Sequence, residues 1–178
     1  VLNETKFDNL VNITEVVGDL PTIYCDMDMV LCDFLKGAKE VLGTDFPKAD
    51  KRTKWPMISA KKDFWVSLEW MPGAKKMWSF ISSYDPHILS AYSTKDANSR
   101  KGKMNWLRTN AKLTQKSRIH LVMREDKQKY AMTTDGKPNL LIDDYIKNVN
   151  EWKAKGGIGV HHTSPSDTIA QLKRLGFK

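Results

Sequence analysis

The sequence predicts an α/β fold, a Rossmann-like three-layer sandwich with a mostly parallel sheet and a small helical cap. Three observations lead there. Five short apolar runs recur along the chain, each passing into polar residues, as in parallel strands covered on both faces. Segments with apolar residues at helical spacing lie between these runs, so strands alternate with helices and right-handed crossovers are expected. The stretch between the first helix and Pro72-Gly73 carries neither pattern and is too long for an ordinary strand-to-helix connection.

The first run is Thr22-Ile23-Tyr24-Cys25, followed by Asp26-Met27-Asp28. A helix is predicted over Leu31–Leu42 from Leu31, Phe34, Leu35, Ala38, Val41 and Leu42, with Asp33 serving its start. Residues 43–71 hold Trp55, Phe64, Trp65 and Trp70 among Lys51, Arg52, Lys54, Lys61 and Lys62, with Pro47 and Pro56 as breakers. They are read as a mainly helical cap. Pro72-Gly73 opens a helix carrying Ala74, Met77, Trp78 and Ile81, since a proline near the first turn forfeits little. His87-Ile88-Leu89 runs into Ser90, and Ala97–Thr109 is helical. Ile119–Val122 is the third strand; Leu140-Leu141-Ile142 is the fourth and runs into Asp143-Asp144. Ile146–Trp152 is a helix stopped by Lys155-Gly156-Gly157. Ile158-Gly159-Val160 is the last strand, and Ser166–Leu175 closes the chain with Ser166 as its cap. The division expected is an N-terminal extension (1–19), a catalytic core (20–42 and 72–178) and the inserted cap (43–71).

Composition narrows the class. With 178 residues, 40% of them hydrophobic, the chain can bury one core, and its aromatic content excludes a disordered tail. No apolar run reaches the roughly 20 residues of a membrane helix. Val1–Asp19 lacks the apolar centre of a signal peptide, and Cys25 and Cys32 cannot form a disulfide framework. A reduced cytoplasm is the expectation, as is a monomer or homodimer. The formal charge of +8 suits nucleic-acid binding, steering of a small anion, or solubility alone.

In open α/β sheets, ligands bind beyond the carboxyl ends of the strands. The residues after the predicted strands should therefore converge: Asp26 and Asp28, Ser90, Asp143 and Asp144, with Lys127 past the third strand. Carboxylates without nearby His or Cys favour a hard cation, most simply Mg²⁺. A carboxylate can act as a nucleophile, and a second acid two positions on can protonate a leaving oxygen and then activate water. Lysine and metal would offset the charge of a transferring phosphoryl group.

Asp26-Met27-Asp28-Met29-Val30-Leu31 resembles the D-x-D-x-(T/V) signature of haloacid-dehalogenase-superfamily phosphatases, and Leu140–Asp144 resembles their metal-completing acidic motif. The run Asp26–Phe34 resembles the 5'(3')-deoxyribonucleotidase branch, as do Asp63–Glu69 and Met71-Pro72-Gly73-Ala74. The resemblance covers about residues 22–162 and implies roles position by position. Asp26 would be the nucleophile and a Mg²⁺ ligand. Asp28 would be the general acid/base, with its backbone carbonyl on the metal. Ser90 and Lys127 would hold phosphate, Asp143 would ligate Mg²⁺, and Asp144 would support it from behind. Lys103, in a K-x-x-W stretch, would also reach phosphate. The substrate implied is a small phosphate ester, a (deoxy)nucleoside monophosphate.

The chain departs from that pattern in three places. Met29 stands where glycine is common, and Ala91-Tyr92 replaces the usual S-P. The 16-residue step from Lys127 to Asp143 is long, with Asp135-Gly136 suggesting an inserted turn, so Lys129 competes with Lys127. Phe64 and Trp65 are either core or the walls of a base pocket; Trp70 and Trp78 are read as packing. His161-His162 is a strand end, and Cys25 an inert buried thiol. A phosphatase of nucleic-acid 3'-phosphate ends or of another small phosphoester, and a non-catalytic nucleic-acid-binding module, are the competing functions.

Overall fold

The computed structural model describes residues 20–178; the expected extension 1–19 lies outside them. Five parallel strands form one sheet: β1 (Ile23–Cys25), β2 (His87–Ala91), β3 (Ile119–Val122), β4 (Leu140–Asp143) and β5 (Ile158–His161), in the order β3-β2-β1-β4-β5. Registers such as Tyr24 opposite His87 and Leu141 bring every strand's carboxyl end to one edge. The reversal of strand order on either side of β1 makes that edge a crevice.

The helices are α1 (Phe34–Leu42), α2 (Lys54–Ala60), α3 (Ala74–Ser82), α4 (Ser99–Thr109), α5 (Ile146–Ala154) and α6 (Pro165–Arg174). Strand side chains alternate between the two faces. Ile23, Cys25, Ile88, Leu140 and Ile142 pack with Met77, Ile81, Trp106 and Leu172 in the larger core, while Tyr24, Leu89 and Leu141 pack with Trp152 and Ala131 on the other side. These are the three layers expected from the alternation of elements.

The first helix starts later than its apolar period suggests. Residues 27–32 form a tight loop in which the N–H groups of Val30, Leu31 and Cys32 all donate to the Met27 carbonyl. Val30 and Leu31 are buried there as loop residues, which a helical count cannot separate from a helix face. Met29 sits in the left-handed region, φ +60°, where glycine would be unstrained. Asp33 then caps α1 by accepting from Lys36 N at 2.9 Å. At α6 the cap is Ser164, not Ser166: Pro165 occupies the first turn, and Ser164 accepts from Asp167 N.

Residues 43–71 contain one helix, α2, with turns on either side. Their aromatic residues join the larger core: Phe34 meets Phe46, Trp55, Phe64 and Trp65, and Trp70 packs on Trp106 at 4.8 Å. The expected turn after Lys129 is present, with Gly136 at φ +83° and its N–H donating to the Thr133 carbonyl. Among the described residues, no helix is long and apolar enough to cross a membrane.

On the face of β2 and β3, His87 Nδ1 and His120 Nε2 lie 2.9 Å apart, against Tyr24 and Tyr130. One nitrogen must donate and the other accept, so both rings cannot be protonated in this pose. Burial, then the neighbouring His120 and Arg118, lowers the His87 pKa, and burial lowers that of His120. With folded pKa values below the unfolded ~6.5, the unfolded chain binds more protons, so this stability is full at neutral pH and is lost as pH falls. The urea midpoint should drop more between pH 7 and pH 5.5 in the parent than in His120→Gln. Equal drops would show that the pair does not titrate with folding.

Candidate active site

The acids after β1 sit at the crevice because the strand is only three residues long and ends in a loop closed by its own backbone. Asp26 is 7% exposed. Its Oδ1 accepts from Met27 N at 2.7 Å, which fixes the carboxylate, and its Oδ2 lies 2.9 Å from Lys127 Nζ. Asp28 is half-buried, its Oδ2 2.7 Å from Lys103 Nζ, with the Cys32 thiol donating to Oδ1 at 3.5 Å.

Two buried lysines organise these acids. Lys103, 1% exposed on α4, donates to Asp28, to Ser90 Oγ at 3.0 Å and to the Ala91 carbonyl at 2.7 Å. Lys127 lies in the 3₁₀ segment Arg124–Tyr130 and bridges Asp26 and Asp143, the latter at 2.7 Å. Burial opposes its charge, but Asp26 and Asp143 outweigh that and raise its pKa above the ordinary lysine value. Lys129 instead points to solvent and pairs with Asp126. A 3₁₀ turn of three residues sends side chains two apart in different directions, which separates the two rivals.

Asp143, at the end of β4, is fully buried and accepts from Lys127, from Tyr145 N at 2.9 Å and from Asn148 Nδ2 at 3.0 Å. Carboxylate oxygens of Asp26, Asp143 and Asp144 all lie within 4.8 Å of one another. Burial, then the Asp26 charge, raises the Asp143 pKa; burial, Asp26 and Asp143 push Asp144 up to about 7. Three acids this close with one ammonium among them leave excess negative charge. An all-oxygen donor set of that kind fits a hard divalent cation. Asp144 contributes a carboxylate oxygen to the cluster, and the Asp28 side chain is outside it.

Phe64 and Trp65 do not stand on an open wall. Trp65 is 3% exposed, stacked on Phe34 at 5.6 Å and lying over Lys103 Nζ at 5.2 Å, while its Nε1 donates to Asp96 Oδ2 at 2.6 Å. Phe64 is edge-on to both Phe34 and Trp65. Gly102 makes this possible, because a Cβ there would come within 2.4 Å of the Trp65 Cβ. Trp65 thus roofs the Lys103 ammonium. Asp96 and Asn148 were missed in the sequence, where each is a polar residue near a helix start; only their burial against Trp65 and Asp143 marks them. His161 Nε2 donates to the Asp144 carbonyl, and His162 N donates to that of Asp143. Burial raises the Cys25 and Cys32 pKa values well above the ordinary thiol range, with Asp26 and Asp28, respectively, adding to it, so neither is a nucleophile.

No protein-family model matches the chain, and a search of curated proteins finds no significant relative. Among solved structures, the fold is similar to that of a hydrolase from Streptococcus pneumoniae TIGR4 (TM-score 0.55, 10% identity, covering 88% of this chain and 100% of that one). Weaker likenesses join it to a hydrolase from Pseudomonas syringae (TM-score 0.48, 17% identity, 89% and 91% covered). A HAD family hydrolase from Deinococcus radiodurans R1, solved with bound phosphate and sodium, is similar at TM-score 0.47 and 15% identity, with 89% and 90% covered. At these identities the likeness is one of fold: a parallel α/β sandwich of the kind found in the S. pneumoniae hydrolase.

Proposed function

We propose that the chain is a Mg²⁺-dependent phosphomonoesterase of the haloacid dehalogenase type, cleaving (deoxy)nucleoside monophosphates through an aspartyl-phosphate as a 5'(3')-deoxyribonucleotidase does. The observation that carries this reading is the acid–lysine constellation at one crevice: Asp26 and Asp143 joined by Lys127, and Asp28 and Ser90 joined by Lys103. A binding module has no use for two ordered carboxylates two residues apart at a phosphate site.

In this reading an Asp26 carboxylate oxygen attacks phosphorus, forming the acyl-phosphate bond as the ester P–O bond breaks. Asp28 gives its proton to the leaving oxygen at Oδ2, then takes one from the water that hydrolyses the aspartyl-phosphate. The incoming phosphoryl dianion competes with Asp28 for the Lys103 ammonium. Ser90 and Lys127 hold the equatorial oxygens. Asp26 and Asp143, with the Asp28 carbonyl, would hold Mg²⁺ beside Asp144; the ion, when bound, supplies positive charge against the phosphoryl oxygens.

The test is phosphate release across ribo- and deoxynucleoside monophosphates and p-nitrophenyl phosphate, with Mg²⁺ or EDTA. Metal-dependent release with nucleotides preferred supports the reading. Salt-sensitive DNA binding without release would overturn it in favour of a binding module.

A further inference from the structure

A second feature opens beside the crevice. Phe46, Lys51, Lys54, Trp55, Tyr92 and Lys95 line a groove of about 450 Å³, a volume suited to a small ligand. Its two walls come from distant parts of the chain, the turn and α2 of residues 46–55 and the loop that follows β2. Tyr92 is two residues beyond Ser90, so no more than about 7 Å of chain separates groove and phosphate site. The walls are also linked by packing: Trp55 and Phe46 meet Phe34, which stacks on the Trp65 ring that covers Lys103.

The chemistry of the lining is specific. Phe46, Trp55 and Tyr92 are half-buried, and Arg100 lies over the Tyr92 ring at 4.8 Å. Lys54 is committed locally, donating to the Phe46 carbonyl at 3.3 Å and lying over the Phe46 ring. Lys51 and Lys95 are exposed and, among the described residues, have no carboxylate within 4.0 Å. Asp45 pairs with Lys39 and Lys48, while Asp50 Oδ1 accepts from the N–H groups of Arg52 and Thr53, and Asp96 accepts from Trp65 and Asn98. Aromatic side chains beside two unpaired ammonium groups fit a heteroaromatic leaving group that brings its own anion.

We propose that this groove is the leaving-group subsite and that it selects nucleotides carrying a second phosphate, held by Lys51 and Lys95 while the first lies at Ser90. This rests on the phosphomonoesterase reading and deepens it. A nucleoside monophosphate fills the aromatic part and leaves both ammonium groups unused; a nucleoside 3',5'-bisphosphate engages them.

Calorimetric binding to the full chain carrying Asp26→Asn tests the groove without turnover. Deoxythymidine 3',5'-bisphosphate should bind about tenfold more tightly than the 5'-monophosphate, the scale of a few charge-assisted contacts. Adding Lys51→Gln and Lys95→Gln should bring that ratio to about 1. The dinucleotide d(pTpT) separates sources: tightening equal to the bisphosphate's places a diester in the subsite, and tightening by the bisphosphate alone places a terminal phosphate there. A ratio near 1 before the lysines are changed, or one that survives their removal, overturns the proposal. Release of phosphate from p-nitrophenyl phosphate by the unmodified protein reports on the phosphatase reading separately, since that ester reaches neither lysine.

Discussion

Replacing Asp26 by asparagine is expected to lower phosphate release by at least about a thousandfold, the scale on which loss of a nucleophile acts. The amide keeps the shape of the carboxylate, and its oxygen can still accept from Met27 N, the contact that holds the side chain at 2.7 Å. Lys127 keeps Asp143 as a partner. The fold should therefore persist, with an unchanged circular dichroism spectrum. What the amide lacks is the charge to attack phosphorus and to help hold a cation. Turnover within about tenfold of the parent would exclude Asp26 as the nucleophile.

Lys127→Met should show the largest effect on stability. The ammonium lies 2.9 Å from Asp26 and 2.7 Å from Asp143, all three side chains nearly or fully buried. Methionine fills much of the volume and leaves the carboxylates facing one another across the crevice. Removing one partner of a buried ion pair costs about 3 kcal/mol, which for a chain of this size lowers Tm by about 6–12 °C. Because the deficit is one of positive charge, Mg²⁺ should return at least about half of it by binding the folded state, a linkage effect. Thermal unfolding in EDTA and in Mg²⁺ separates the terms. A small loss, or one that Mg²⁺ leaves untouched, would show that the acids do not depend on a cation. Phosphate release by the variant should fall by about a hundredfold or more even in Mg²⁺, because in the proposed mechanism Lys127 also holds the phosphoryl oxygens.

The elements that were legible in the sequence are those whose signal is local. A short apolar run followed by an acid marks a strand end, and carboxylate oxygens of Asp26, Asp143 and Asp144, which follow two such runs, lie within 4.8 Å of one another. The start of α1 was not legible. Val30 and Leu31 are buried by the loop that wraps the Met27 carbonyl, and burial by a loop has the same hydrophobic signature as burial by a helix. Phe64 and Trp65 show the same limit from another side. The sequence leaves such aromatics divided between core and pocket; the burial of Trp65 depends on Gly102, on the distant helix α4, coming close enough to take the indole.

The sequence by itself determined the α/β architecture, the order of its strands along the chain and the carboxylates that end them, because apolar period and strand-end position are properties of short windows. The resemblance pointed to Lys103 and Lys127 but left Lys129 as a rival; only the tertiary structure buries Lys103 and Lys127 among acceptors and leaves Lys129 exposed. An ammonium is buried only where carboxylates arriving from other strands offset its desolvation, and β1 and β4 bring those carboxylates to the two lysines from as far away as Asp28 is from Lys103, 75 residues, and farther still for Asp26 and Lys127. The same long-range closure joined Trp55 to Tyr92 around the groove, placing Lys51 and Lys95 where a second phosphate would lie.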